Sequence, residues 1–152
     1  MDNTEQPRIM VVDDEDMVIT SIRAFLTLET DWEVFGHTDP ESAAEALKSQ
    51  TVDVVVSDYL MPRMNGMQLL GKAREIQPEA ARVLLTGHAD KQSAIVAINE
   101  IGLYQYLEKP WDNAQLLLVL KSANERTRLL RRLQETIARL DKVQAQLIRA
   151  FL

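Results

Sequence analysis

Cysteine is absent from the 152 residues. That excludes disulfides and thiolate metal sites, and it fits a reducing, cytoplasmic setting. No apolar run approaches the roughly 20 residues of a membrane span. Met1-Asp2-Asn3-Thr4-Glu5 is acidic and polar, unlike a signal peptide. Internal repeats and low-complexity segments are also lacking. Positive charge is scarce over most of the chain: residues 1–120 carry 9 Lys+Arg against 20 Asp+Glu, a net −11. Residues 121–152 carry 8 against 3, a net +5, within an overall −6. An acidic body argues against nucleic-acid binding through the globular part. The basic tail reads as a solvated helix face.

What is present is a chain with 46% hydrophobic and 26% charged residues, a composition typical of a soluble globular protein. The length fits one domain with a real core. The most informative stretch is Val52-Asp53-Val54-Val55-Val56-Ser57-Asp58, closed by Pro62 and the turn Asn65-Gly66. A valine run of this kind reads as a strand over 52–57 buried on both faces of a parallel sheet. Open α/β sheets place their ligands at the carboxyl ends of such strands. Asp58 is therefore a candidate reacting group. The plainer reading is a helix cap.

Further strands are expected at Arg8–Val12, Trp32–Phe35, Arg82–Thr86 and Leu103–Leu107. Helical spacing of Met17, Ile19, Ile22, Phe25, Leu26 and Leu28 predicts a helix ending near Thr30-Asp31. Asp39-Pro40 starts another. Asn65 with Gln68, and Asp112 with Gln115, form two capping-box patterns. Residues 90–101 form a helix with Ala94, Ile95, Ala97, Ile98 and Ile101 inward. Five alternations of strand and helix predict an α/β fold, a doubly wound five-stranded parallel sheet with helices on both faces.

The last helix is too long for such a domain. After Leu116–Leu120, its apolar residues narrow to Leu130, Leu133, Ile137, Leu140, Gln144, Leu147 and Phe151. These steps of three and four form a heptad seam, with Leu130, Ile137, Gln144 and Phe151 at a and Leu133, Leu140 and Leu147 at d. Leu at d beside a polar Gln144 at a suits a two-stranded coil. Leu129, Val143 and Ile148 widen the stripe, so a four-helix arrangement also fits. The expected division is a domain over 7–124 and a coiled-coil extension over 125–152, with a homodimer formed through the latter.

The strand ends carry Asp13-Asp14, Asp58, Thr86 and Lys109. On one sheet edge these would bring together three carboxylates, a hydroxyl and an ammonium. Oxygen ligands of this kind suit a hard cation such as Mg²⁺, and such a site can receive a phosphoryl group.

Val11-Val12-Asp13-Asp14-Glu15, Ser57-Asp58-Tyr59-Leu60-Met61-Pro62-Arg63-Met64-Asn65-Gly66, Leu85-Thr86-Gly87 and Tyr106-Leu107-Glu108-Lys109-Pro110 resemble the receiver domain of bacterial two-component response regulators. The resemblance covers about residues 7–124. It implies a flavodoxin-like strand order, 2-1-3-4-5. It implies that Asp58 accepts a phosphoryl group from a histidine kinase. Asp13 and Asp14 would hold Mg²⁺ together with Asp58 and the backbone carbonyl of Leu60. Lys109 would pair with the phosphoryl oxygens, and the peptide before Pro110 would be cis. Thr86 would move toward the phosphoryl group and Tyr106 would turn inward. Gly87 stands where many relatives have Ala.

Three functions compete at this point: a phosphorylation-controlled switch, a Mg²⁺-dependent hydrolase with an aspartyl-phosphate intermediate, and a binding module. The hydrolase class commonly needs a second acid two residues past the nucleophile, where this chain has Leu60. The switch is the expected function, with no separate enzymatic turnover, no membrane partner and no direct nucleic-acid contact by the receiver. The stretch from Leu103 to Asp112 resembles receivers joined to HD-type cyclic-dinucleotide phosphodiesterases or ATP-driven transcription activators. A C-terminal output domain outside this chain is therefore expected. His37 is expected in a loop, His88 as an exposed loop residue or a neighbour of the site, and Trp111 as packing. Met61 and Met64 read as packing rather than as ligands.

Overall fold

A computed structural model describes residues 5–152; the acidic start at Met1–Thr4 lies outside the described residues. The elements are β1 (Arg8–Val12), α1 (Asp16–Glu29), β2 (Glu33–His37), α2 (Pro40–Leu47), β3 (Val54–Asp58), α3 (Gly66–Ile76), β4 (Ala81–Thr86), α4 (Lys91–Glu100), β5 (Gln105–Glu108) and α5 (Asn113–Phe151). A 3₁₀ turn at His88–Asp90 leads into α4. The five strands are parallel, in the order β2-β1-β3-β4-β5.

Side chains alternate across each strand, and this splits the core in two. Ile9, Val11, Val54, Val56, Val83, Leu85 and Leu107 face α1 and α5. Met10, Val12, Val55 and Leu84 face α2, α3 and α4. The two valines of β1 thus serve opposite faces, and so do the three of β3. That is why these strands read as unbroken apolar runs.

The helix starts follow their local chemistry. The Asp39 side chain accepts from the Glu41 amide with Pro40 in the first turn. At α3 the Asn65 side chain accepts from the Gln68 amide, while Gln68 accepts from the Asn65 amide. The second expected box does not form. Asp112 accepts from the Ala114 amide, one residue short of Gln115. The shorter reach satisfies the cap without Gln115.

Several boundaries and faces differ from the sequence reading. Strand β3 starts at Val54 and includes Asp58, and β5 is Gln105–Glu108. His37 is the last residue of β2, not a loop residue. It pairs in register with Val12, because β2 extends as far as its neighbour β1 does. Met17 and Leu28 are exposed, leaving Ile19, Ile22 and Leu26 as the buried stripe of α1. Ile95 is exposed too; the inward face of α4 is narrow and held by Ala94 and Ala97.

Helix α5 runs unbroken for 39 residues. Leu116, Leu120 and Ala123 are fully buried against the sheet, and Leu118 faces outward. Contact with the body continues past residue 124. Buried Thr127 donates to the Asp53 carbonyl at 2.8 Å and accepts from the Ala81 amide at 3.1 Å. Leu133, Ile137, Leu140, Leu147 and Phe151 are exposed in the single chain.

Candidate functional site

The alternation that builds the two cores also sorts the polar strand ends. Asp13 follows Val11 by two residues, Asp58 follows Val56, and Lys109 follows Leu107. All three therefore fall on the α1/α5 face. Thr86 and Tyr106 fall in the opposite phase, with Leu84.

The three converge in space. The Lys109 ammonium lies 3.1 Å from Asp13 Oδ2 and 3.0 Å from Asp58 Oδ1. Asp13 is fully buried and Asp58 is 8% exposed, so the ion pairs are poorly screened. Asp14, exposed at the mouth, completes a set with Asp13 and Asp58 whose carboxylate oxygens lie within 4.8 Å of one another. Backbone donors hold the carboxylates in place. The Glu15 amide donates to Asp13 Oδ1 at 2.9 Å, and the Tyr59 amide to Asp58 Oδ1 at 3.0 Å. The Lys109–Pro110 peptide is cis.

Burial pushes the Asp58 carboxyl above the usual range. The hydrogen bond from Lys109 opposes that rise, and the charge of Asp13 adds to it. Burial pulls Lys109 down, but its bonds to Asp58 and Asp13 outweigh this and raise its pKa. The lysine is thus held as a cation between two carboxylates.

The donor set fits a hard divalent cation. Its atoms are all carboxylate oxygens, one residue is open to solvent, and among the described residues no histidine or cysteine joins the set. Lys109 occupies the positive side of the same cluster. One cationic side chain against three carboxylates leaves room for further positive charge.

Thr86 is fully buried, yet its hydroxyl does not point to Asp58. It donates to the Leu107 carbonyl at 3.4 Å, across the β4–β5 pair. Tyr106 is half-buried against the α2/α3/α4 cluster. It pairs in register with Leu84, two residues before Thr86. The Leu60 side chain is exposed at the mouth. His88 is exposed and turned to Glu108, with Nδ1 and Oε1 2.8 Å apart, rather than to the carboxylates. Trp111 packs on the α1/α5 cluster, and Met61 and Met64 pack on the other.

Two contributors escaped the sequence reading. Gly66 brings the first turn of α3 against the Asp58 backbone: its amide donates to Tyr59 O at 2.7 Å, and a β-carbon there would stand 2.0 Å from Asp58 O. Arg63, with φ of 70°, ties the loop after β3 to Asp39 at 3.0 Å. The Asn65-Gly66 turn signal pointed to the first. Nothing in the sequence pointed to the second.

The family model for the response regulator receiver domain matches residues 9–121. The hydrogenase transcriptional regulatory protein HoxA of Cupriavidus necator is 33% identical over 121 residues, which are 80% of this chain and 25% of that protein. The chain thus spans about a quarter of this relative. Among solved structures, the signal receiver domain of an HD domain-containing protein from Pseudomonas fluorescens Pf-5 is 34% identical. Its TM-score is 0.76, covering 82% of this chain and 98% of that one. A structure described as adenylate cyclase from Rhodopirellula baltica aligns with a TM-score of 0.83 at 26% identity, covering 88% and 98%. Among the described residues no helix is long and apolar enough to cross a membrane. With its parallel 2-1-3-4-5 sheet, its acidic strand-end cluster and a family match over most of its length, the chain belongs to the response regulator receiver domains of two-component systems.

Proposed function

We propose that Asp58 is the phosphoacceptor of a Mg²⁺-dependent switch and takes its phosphoryl group from the phosphohistidine of a histidine kinase. The observation that carries this reading is the Lys109 ammonium bridging Asp13 and Asp58 inside a cluster of three carboxylates. A carboxylate oxygen of Asp58 attacks the phosphorus, an O–P bond forms, and the N–P bond to the donor imidazole breaks. Asp13, Asp14, Asp58 and the Leu60 carbonyl would hold the metal. When bound, it supplies positive charge that offsets the negative charge of the phosphoryl oxygens. Lys109 supplies a second positive charge, already fixed in place.

Thr86 then exchanges its bond to Leu107 O for one to the phosphoryl group. The exchange draws the β4 end toward Asp58 and frees space on the Tyr106 side. Tyr106 turns inward, and the α4, β5 and α5 surface reports the change. A phosphoryl group shifts this equilibrium only by the contacts it makes in one state and not in the other.

The extension over 125–152 pairs two copies and passes the change to an output module. A transcription activator or an HD-type cyclic-dinucleotide phosphodiesterase fits that place. The first is supported by the HoxA relative, the second by the receiver of the HD domain-containing protein.

The test is incubation with a small phosphodonor and Mg²⁺, followed by intact mass. One added phosphoryl group on the native chain and none on Asp58→Asn is the expected result. No adduct with continuing phosphate release would favour the hydrolase. No adduct and no release would leave a binding module.

A further inference from the structure

At the end of the sheet opposite the carboxylate cluster lies a second, buried charge cluster. Asp53, immediately before β3, is 3% exposed. Its Oδ1 accepts from Arg128 Nε at 3.1 Å and from Arg131 Nη1 at 2.8 Å. Its Oδ2 accepts from the Arg8 amide at 2.8 Å. Arg131 also donates to the Val52 carbonyl at 2.6 Å. With Thr127 beside them, these bonds tie the middle of α5 to β1, β3 and β4 at once. Arginine forks of this kind fix direction as well as distance.

The clamp sets the rotation of everything beyond it. Ala123, Thr127 and Arg131 follow one another at four-residue steps and face the body. At 3.6 residues per turn, the seam Leu133-Ile137-Leu140-Gln144-Leu147-Phe151 lies about a third of a turn round the helix. Rotation of α5 cannot turn this seam inward without breaking the Asp53 bonds. Past Arg131 a groove of about 550 Å³, lined in part by Leu47, Gln50, Gln77, Gln134 and Ala138, separates α5 from the ends of α2 and α3. The seam is therefore held away from its own body and remains exposed.

The occupant that fits is a second copy of the chain. Burying the five large apolar seam residues removes on the order of 100 Å² each, or about 500 Å² per chain. The flanking Leu129, Val143 and Ile148 are also at least half exposed or nearly so. Their burial brings the total toward the roughly 800 Å² per partner of stable interfaces. Gln144 then decides the direction. In a parallel pair, a positions meet a positions, and Gln144 faces its own counterpart and bonds it. In an antiparallel pair it faces a d leucine, and its amide is buried without a partner.

We infer that the Asp53 clamp presents this seam to a second copy, paired parallel and in register over residues 133–151. The inference rests on the pairing reading above and adds its direction and its control by Asp53. Arg128 and Arg131 are positioning residues, since neither belongs to the seam.

The chain has no cysteine, so Arg132→Cys and Arg149→Cys each give one spin-label site per protomer. Both should show similar distances between protomers, set by the width of the coil alone with no offset along its axis, in the full chain, with and without phosphodonor. Antiparallel pairing would separate the labels at each site by about 25 Å along the axis and overturn the inference. Arg131→Gln and Asp53→Asn should broaden these distances and raise the dimer dissociation constant about fivefold to tenfold. Phosphorylation of Asp58 in the same samples reports that the body is folded. If Asp53→Asn fails that check, Arg131→Gln decides the matter alone. A monomeric native chain overturns the pairing reading and this inference together. A parallel native dimer unaffected by Arg131→Gln leaves the pairing and overturns the clamp.

Discussion

Gly66 lies so close to the carbonyl of Asp58 that a β-carbon on it would stand 2.0 Å from the oxygen and 2.9 Å from the carbon. Both neighbours are backbone, so neither swings aside. Gly66→Ala must therefore push α3 away from the end of β3. The expected cost is about 1–3 kcal/mol, as for other overpacked interiors. Urea unfolding measures it, and phosphorylation of Asp58 should slow in the folded fraction, because the same movement displaces the acceptor.

In the proposed switch, Lys109 would compete with the divalent cation for the same carboxylates. Lys109→Met removes the ammonium that stands 3.0 Å and 3.1 Å from Asp58 and Asp13. Mg²⁺ should then bind about threefold to tenfold more tightly, since mutual repulsion of the acids is left for the metal alone to relieve. Phosphorylation should nevertheless be slower, because one counter-charge for the phosphoryl oxygens is gone. Calorimetric titration with Mg²⁺ and a phosphorylation time course on the same variant check the two directions.

Thr127 is the neutral member of the α5 anchor. Its hydroxyl accepts from the Ala81 amide and donates to Asp53 O, both inside the core. Thr127→Val keeps the shape and removes both bonds. A loss of about 1–3 kcal/mol in unfolding free energy is expected. Unfolding curves followed by circular dichroism give this number. An effect near zero would mean that the apolar face and the Asp53 ion pairs hold α5 without help from Thr127.

The Thr86 hydroxyl bonds Leu107 O in the structure. Thr86→Ala should therefore leave the acceptor site assembled and the switch deaf. Phosphorylation of Asp58 should persist within about an order of magnitude, while the environment of Tyr106 no longer changes. Tyrosine ring resonances recorded with and without phosphodonor read this directly. A Tyr106 response of native size in Thr86→Ala would detach the two residues.

The strand-end pattern was legible in the sequence because period-two alternation and abrupt carboxylates are both local signals. Asp13, Asp58 and Lys109 could be nominated before their distances were known. The cap at Asn65 was legible for the same reason. The Asp53 clamp was not. Asp53 looked like one polar residue in a valine run, and Arg128 and Arg131 looked like part of a solvated basic face. Their meaning depends on where α5 crosses the sheet, which separates partners by 75 and 78 positions. Gln115 failed in the opposite sense: a correct local pattern was left unused when Asp112 found the nearer amide of Ala114. His37 and Ile95 were misplaced because strand length and helix rotation are set by neighbours rather than by the segment itself.

Where the phosphoryl group goes is the measurement closest to the centre of the account. Borohydride reduces an acyl phosphate to the alcohol, so a phosphorylated aspartate is read as homoserine in a peptide map. After phosphodonor and Mg²⁺, homoserine at position 58 and at no other carboxylate is predicted, with the signal lost in chelator. Homoserine at Asp13 or Asp14, or none anywhere in a folded sample, would contradict the assignment of Asp58 as the acceptor.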